Sequence, residues 1–187
     1  MKKPLIPFKM MPSSWGLRGK PYEEAEAHYS LTGIELERRL AELNHTGKEL
    51  QIALADIDHA HQVLDEYGWL KRRIEINFEE GKDRQVELIK LDQTFNKIEK
   101  REAEKKIADL LNEPWVAIVD EGLDPHAGPS GFYFVFDWND AWIAMLRHYG
   151  YEGSSEDELM EKWFGDVCRN EVINSAPVPF NSSVVYD

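Results

Sequence analysis

The sequence predicts a mainly α fold: a long antiparallel helical hairpin, a small α+β carboxy-terminal subdomain and an extended arm at each end. Three observations carry this expectation. Between Thr46 and Leu111, apolar residues recur at spacings of three and four, interrupted once at a glycine. Beyond Pro114 the texture changes to short aromatic and β-branched runs separated by glycine and proline. Prolines break both ends, at Pro4, Pro7 and Pro12 on one side and at Pro177 and Pro179 on the other. The expected organisation is a basic arm over 1–20, a helical domain over 21–112, an acidic aromatic subdomain over 113–173 and a second arm over 174–187.

The leader holds Leu5, Ile6, Phe8, Met10, Met11 and Trp15 between its prolines, more apolar surface than a solvated tail needs, so it is expected to dock. Pro21 followed by Glu23, Glu24 and Glu26 is a favourable helix start, because proline suits the first position and acids face the amino-end dipole. Thr32-Gly-Ile-Glu35 and Thr46-Gly-Lys-Glu49, fourteen residues apart, each read as a capping box opening a helix. The pair is too short for a solenoid repeat and is taken as two similar helix starts.

From Leu50 the rows Leu50, Leu54, Ile57, His61, Leu64 and Val63, Tyr67, Leu70, Ile74, Phe78 mark one helix face. Glu79-Glu-Gly-Lys-Asp83 stops it, and Leu88, Leu91, Phe95, Ile98, Ala103, Ile107 and Leu110 resume it. Two arms of about 30 residues, each about 45 Å long at 1.5 Å per residue, follow. A stripe of that length needs a further helix, the carboxy-terminal part or another subunit to cover it.

Asn112-Glu-Pro114 ends the hairpin. Trp115–Val119 and Phe132–Trp138 read as strands, with Glu121–Gly131 as the loop between them. Asn139 or Asp140 caps a helix ending at Gly150, and Ser155 with Glu158 forms a capping box for one running to about Ile173.

With 187 residues, 42% hydrophobic and 30% charged, the chain lies in the globular range. Its net charge of −13 is unevenly spread: residues 1–20 carry five bases and no acids, whereas 113–187 carry three bases against fourteen acids. The stretch 61–112 is nearly balanced, at eleven against twelve. Phosphate affinity depends on clustered lysine and arginine, so nucleic-acid binding is expected only of the leader, through Lys2, Lys3, Lys9, Arg18 and Lys20, which suit an acidic protein surface equally well. The lone Cys168 excludes an intrachain disulfide, and no run approaches the length of a membrane helix. A cytoplasmic or virion-interior protein is the expectation.

No catalytic motif stands out. The best chemical candidate is the loop with Asp120, Glu121, Asp124 and His126, followed by Asp137 and Asp140, whose oxygens and imidazole suit a divalent cation. Turn preference and helix capping explain the same aspartates, so no metal and no cofactor are expected. Asp58, His61 and Asp65 share a helical face, and Glu42 with His45 forms one Glu-x-x-His, where a di-iron bundle needs two. His61 is read as a hydrogen-bonded seam histidine. Neither Cys168 nor Ser130 has the surroundings of a nucleophile.

What remains is contact chemistry. The aromatic run Phe132, Tyr133, Phe134, Phe136, Trp138 and Trp142, with Tyr149, Tyr151, Trp163 and Phe164, is dense enough to fill a core and leave an excess for an interface. Phe8, Trp15, Trp138, Trp142, Trp163, Phe180 and Tyr186 are the residues expected to make partner contacts, in a non-enzymatic structural or assembly protein that forms homo- or hetero-oligomers. An acidic inhibitor that mimics nucleic acid, and a metal-dependent enzyme using the 120–126 loop, are the rival readings. Trp15-Gly-Leu-Arg-Gly-Lys20, Glu23-Glu-Ala-Glu26 and Thr32-Gly-Ile-Glu-Leu-Glu-Arg-Arg-Leu40 resemble, over residues 12–43, small morphogenesis proteins of tailed bacteriophages, including tail assembly chaperones and head-to-tail connector components. The resemblance implies an assembly role and carries over no functional residue.

Overall fold

The computed structural model describes residues 6–123 and 131–173, without the side chains of 170–173. The segment 174–187, with Phe180 and Tyr186, lies outside the described residues, as do Asp124, His126 and Ser130. The described chain is mainly helical, with eight α-helices and one two-stranded antiparallel sheet. It divides into two compact units, residues 1–97 and 98–187. That boundary falls inside the expected second hairpin arm rather than at Asn112.

Two short 3-10 turns, Phe8–Met10 and Pro12–Ser14, lie in the first unit, so the described part of the leader is folded over 8–14 where an extended arm was expected. Phe8 is buried against Tyr22 and Tyr29, with both ring centroids 5.4 Å away, and the Tyr29 hydroxyl donates to the Ile6 carbonyl at 2.9 Å. Proline blocks α-helix there, but single turns satisfy the backbone locally and let the phenylalanine reach an apolar surface.

Three helices then repeat one design: α1 (Lys20–Ser30), α2 (Ile34–Asn44) and α3 (Gly47–Ala60). Gly19, Gly33 and Gly47, fourteen residues apart, all have φ near +60°, and Ala27, Ala41 and Ala55, at the same spacing, are buried. Neither expected capping box forms: no side-chain cap bond is made at the start of α2 or α3. The backbone turns through the glycine instead, which L side chains rarely follow, and the small alanines let neighbouring helices approach closely. Arg38 donates through Nε to Asp58 at 3.0 Å, linking α2 to α3, and Arg39 reaches Glu23 at 3.2 Å, linking α2 to α1.

The expected 30-residue arms are each two helices. α3 is followed by α4 (Glu66–Asn77), and α5 (Lys82–Thr94) by α6 (Lys100–Leu111). The breaks share one geometry. Gln62 and Asn96 are left-handed, with φ of 59° and 52°. At the first break the Gln62 and Val63 amides donate to the carbonyls of His59 and Asp58, and at the second the Asn96 and Lys97 amides donate to those of Gln93 and Asp92. These are Schellman terminations closed without glycine, which is why the apolar periodicity runs through them unbroken. Asp65 then caps α4 by accepting from the Gly68 amide at 2.7 Å, so Asp58, His61 and Asp65 do not share one helix. The glycine stop at 79–83 does separate α4 from α5, and α1 to α5 pack in sequence order, each on the next.

The second unit comprises α6, β1 (Val116–Leu123), β2 (Phe132–Trp138), α7 (Asp140–His148) and α8 (Glu156–Ile173). The Lys105 ammonium holds α6 to the sheet through Asp137 at 2.6 Å. Pairing runs from Val116 opposite Trp138 to Leu123 opposite Phe132, with a bulge between Ile118 and Asp120. Strand β1 therefore includes Asp120 and Glu121, which the sequence placed at the start of a loop. Trp142, Ile143, Leu146, Leu159 and Met160 form the core between α7 and α8, with Val116, Phe136, Trp138 and Trp163 packed against it.

Candidate functional site

The strand pairing sorts the aromatic run onto two faces, because side chains alternate along a strand. Phe132, Phe134, Phe136 and Trp138 share one face, and Tyr133, Val135 and Asp137 the other. At the α7 end the first face is covered: Phe136 meets the rings of Phe164 at 4.9 Å and Trp163 at 6.1 Å, both edge-on, and Trp163 in turn meets Trp142 at 5.0 Å. Such edge-to-face pairs place positive ring edges on negative faces. Moving away from the core, Phe134 still reaches Phe164 at 5.2 Å but is exposed, and Phe132 is 70% exposed. On the other face, Tyr133 and Val135 are also exposed; on β1, Leu123 beside Phe132 and Val119 at the bulge are exposed too.

The distal half of the hairpin is thus an apolar projection. Its edge residues Asp120 and Glu121 are exposed carboxylates, and from 107 to 146 the sequence has no lysine or arginine against seven acids. Tyr133 lies across Gly122, where a Cβ would come within 2.7 Å of the phenol oxygen, so the glycine lets this ring lie on the sheet. Trp138 is half-buried and donates from its indole to Glu156 at 3.0 Å.

At the turn into α7, Asn139 ties the unit together. It is buried, its Oδ1 accepts from the amides of Trp115 and Trp142 at 3.0 Å each, and its Nδ2 donates to the Glu113 carbonyl at 2.9 Å. The expected cap is present and also fixes the start of β1. Ser155 and Glu158 form the expected start of α8: the Glu158 amide donates to Ser155 Oγ at 3.2 Å, while the Glu158 carboxylate accepts from the Ser154 amide and hydroxyl at 2.7 Å. Lys162, then Ser154, hold that carboxyl down at about 2.

The residues expected to make contacts divide by burial. Trp15 is 72% exposed on the first unit, whereas Phe8 is buried under α1. Trp142 is inside the second unit, its indole N–H against Met160 Sδ at 3.2 Å, and Trp163 is half-buried beside it. The exposed Phe132, Tyr133, Val119 and Leu123 are the surface residues the sequence did not single out for contacts. Two-residue alternation could have marked Tyr133 and Val135 as lying opposite Phe134 and Phe136, but not how far α8 covers the sheet.

Of the metal candidates, Asp124 and His126 lie outside the described residues; Asp120 and Glu121 lie in β1, Asp137 is paired with Lys105, and among the described residues no group of three histidine, cysteine or acidic side chains is placed to hold an ion. His61 donates or accepts through Nε2 with Glu37 at 2.9 Å, a hydrogen-bonded inter-helix histidine as expected. Glu42 pairs with Arg39, and His45 falls past the end of α2. An open pocket of about 510 Å³ lies between α3 and α4, lined by Leu54, Asp58, Leu64, Gly68, Arg72 and Glu75 among others. Among the described residues no helix is long and apolar enough to cross a membrane. Comparison with family models, curated proteins and solved structures finds no match for the chain.

Proposed function

We propose that this chain is a non-enzymatic structural or assembly protein that works through protein–protein contacts, in the manner of the tailed-phage morphogenesis proteins that residues 12–43 resemble. The observation that carries the reading is the exposed aromatic and aliphatic surface of the distal β-hairpin, at Val119, Leu123 and Phe132–Val135, on a scaffold that buries other aromatics of the same run. Folded proteins seldom leave such contiguous apolar surface in water unless it meets another surface. Trp15, on the other unit, supplies a second exposed aromatic. The long hairpin of the sequence reading has its counterpart in a relay of short helices, which serves the same framing role with nearly balanced charge.

The experiment places a photo-crosslinking amino acid at Trp15 or Phe132, singly, in the cell of origin. Discrete protein adducts at one or both positions are the expected result. Irradiation that yields no protein adduct from either position overturns the reading.

A further inference from the structure

We infer that the outer edge of β1 is a strand-addition site for an extended segment of a partner protein, one that carries apolar residues together with lysine or arginine. The inference rests on the contact-protein reading above and names the surface and the chemistry of what it receives. Two backbone observations converge on β1. Among the described residues the sheet has two strands, and β1 is hydrogen-bonded to β2 along one side. Among the described residues, no other backbone group bonds to the backbone of 116–123. An edge in that state is a row of donors and acceptors ready to pair.

The side chains select the partner. Val119 and Leu123 on β1, and Phe132, Tyr133 and Val135 across from them, expose apolar surface on which alternate residues of an added strand would lie. Asp120, opposite Val135, and Glu121, opposite Phe134, sit between those two aliphatic positions on opposite faces of the sheet, both exposed and neither bridged by a cation among the described residues, so each face offers a carboxylate beside apolar surface. From 107 to 146 the sequence has no lysine or arginine, and Lys105, which reaches the sheet from α6, pairs with Asp137 rather than with Asp120 or Glu121. A second copy of the same hairpin would bring two such acidic edges together, so charge argues against self-pairing and for a basic partner. The bulge at Val119 increases local twist, and no lysine or proline lies within 116–123.

The test follows backbone amide signals of the full chain by NMR while adding an acetylated, amidated octapeptide of four Lys-Val repeats. Shifts confined to 116–123 and 132–138 are expected. An otherwise identical peptide with alternate amides N-methylated, which cannot pair along an edge, should bind at least about tenfold more weakly, and a Glu-Val peptide should not bind. Val119→Lys and the double change Asp120→Asn with Glu121→Gln should each weaken the Lys-Val peptide by about fivefold or more, with the other amide signals unmoved. Equal binding of the N-methylated peptide, or shifts scattered over the acidic surface, would overturn strand addition, as would concentration-dependent hairpin shifts without peptide, which mark a second copy as the occupant. If the peptide fails while Trp15 or Phe132 still yields protein adducts, the contact-protein reading stands and only the edge site is lost.

Discussion

Asn139 carries more of the second unit than any other single polar side chain described. A buried amide that satisfies three backbone groups holds the start of β1, the end of β2 and the first turn of α7 in one place. Asn139→Ala should cost about 2–3 kcal/mol in urea unfolding, since it removes a helix cap and leaves buried backbone groups without partners. Asn139→Asp keeps the acceptor and should cost less. Glu158 gives a pH signature. Its carboxyl is pulled from near 4.5 to about 2, by Lys162 first and Ser154 next, so its stabilising effect is present above about 4.5 and is lost as pH falls through about 2. The stability difference between the wild type and Glu158→Gln should therefore be constant at neutral pH and shrink between pH 4.5 and 2. A Glu158 titration midpoint near the ordinary value, read by NMR, would contradict this. Both residues were legible in the sequence because their partners lie within a few residues or at a predicted boundary; the reach of Asn139 back to Trp115 was not, since nothing local encodes a contact 24 residues away.

The helices themselves were legible as a class, and their lengths were not. Apolar spacing predicts helix over 47–111, but it cannot distinguish one helix from two when the break keeps the period and lacks glycine and proline. Gln62 is such a break, a residue with a Cβ held at φ 59°. A left-handed non-glycine residue costs roughly 1–2 kcal/mol, so Gln62→Gly should stabilise the first unit by about 0.5–1 kcal/mol, and Gln62→Val should destabilise it. Thermal unfolding by circular dichroism checks both. A loss of stability on Gln62→Gly would mean that the side chain, not the turn, fixes the break. The converse error occurred at Thr32 and Thr46, where a capping box was legible and the structure uses the adjacent glycine instead. The fourteen-residue spacing was the sounder signal, and its first copy at Gly19 escaped notice because Arg18 and Pro21 replace the threonine and glutamate of the other two. In the second unit the strands and both helix starts were legible from aromatic alternation and caps, while the extension of β1 through Asp120 and Glu121 was hidden by their turn preference.

For the molecule as a whole, charge and apolar exposure point to the same place. The net negative charge concentrates after residue 113, where bases are scarce, and the exposed aromatic surface projects from that same stretch, whereas 61–112 is nearly neutral and helical. The expected contact residues were half legible: composition showed an aromatic excess, but which rings fill the core depends on how α8 crosses the sheet, and that is long-range packing. The central claim, that the hairpin surface is used against other proteins, is tested most directly by hydroxyl-radical footprinting of the chain purified and in its cell of origin. The account predicts that Phe132, Tyr133 and Phe134 are oxidised readily in the purified chain and protected several-fold in the cell, with buried Trp142 slow in both. Equal reactivity of the hairpin residues in the two settings would contradict it.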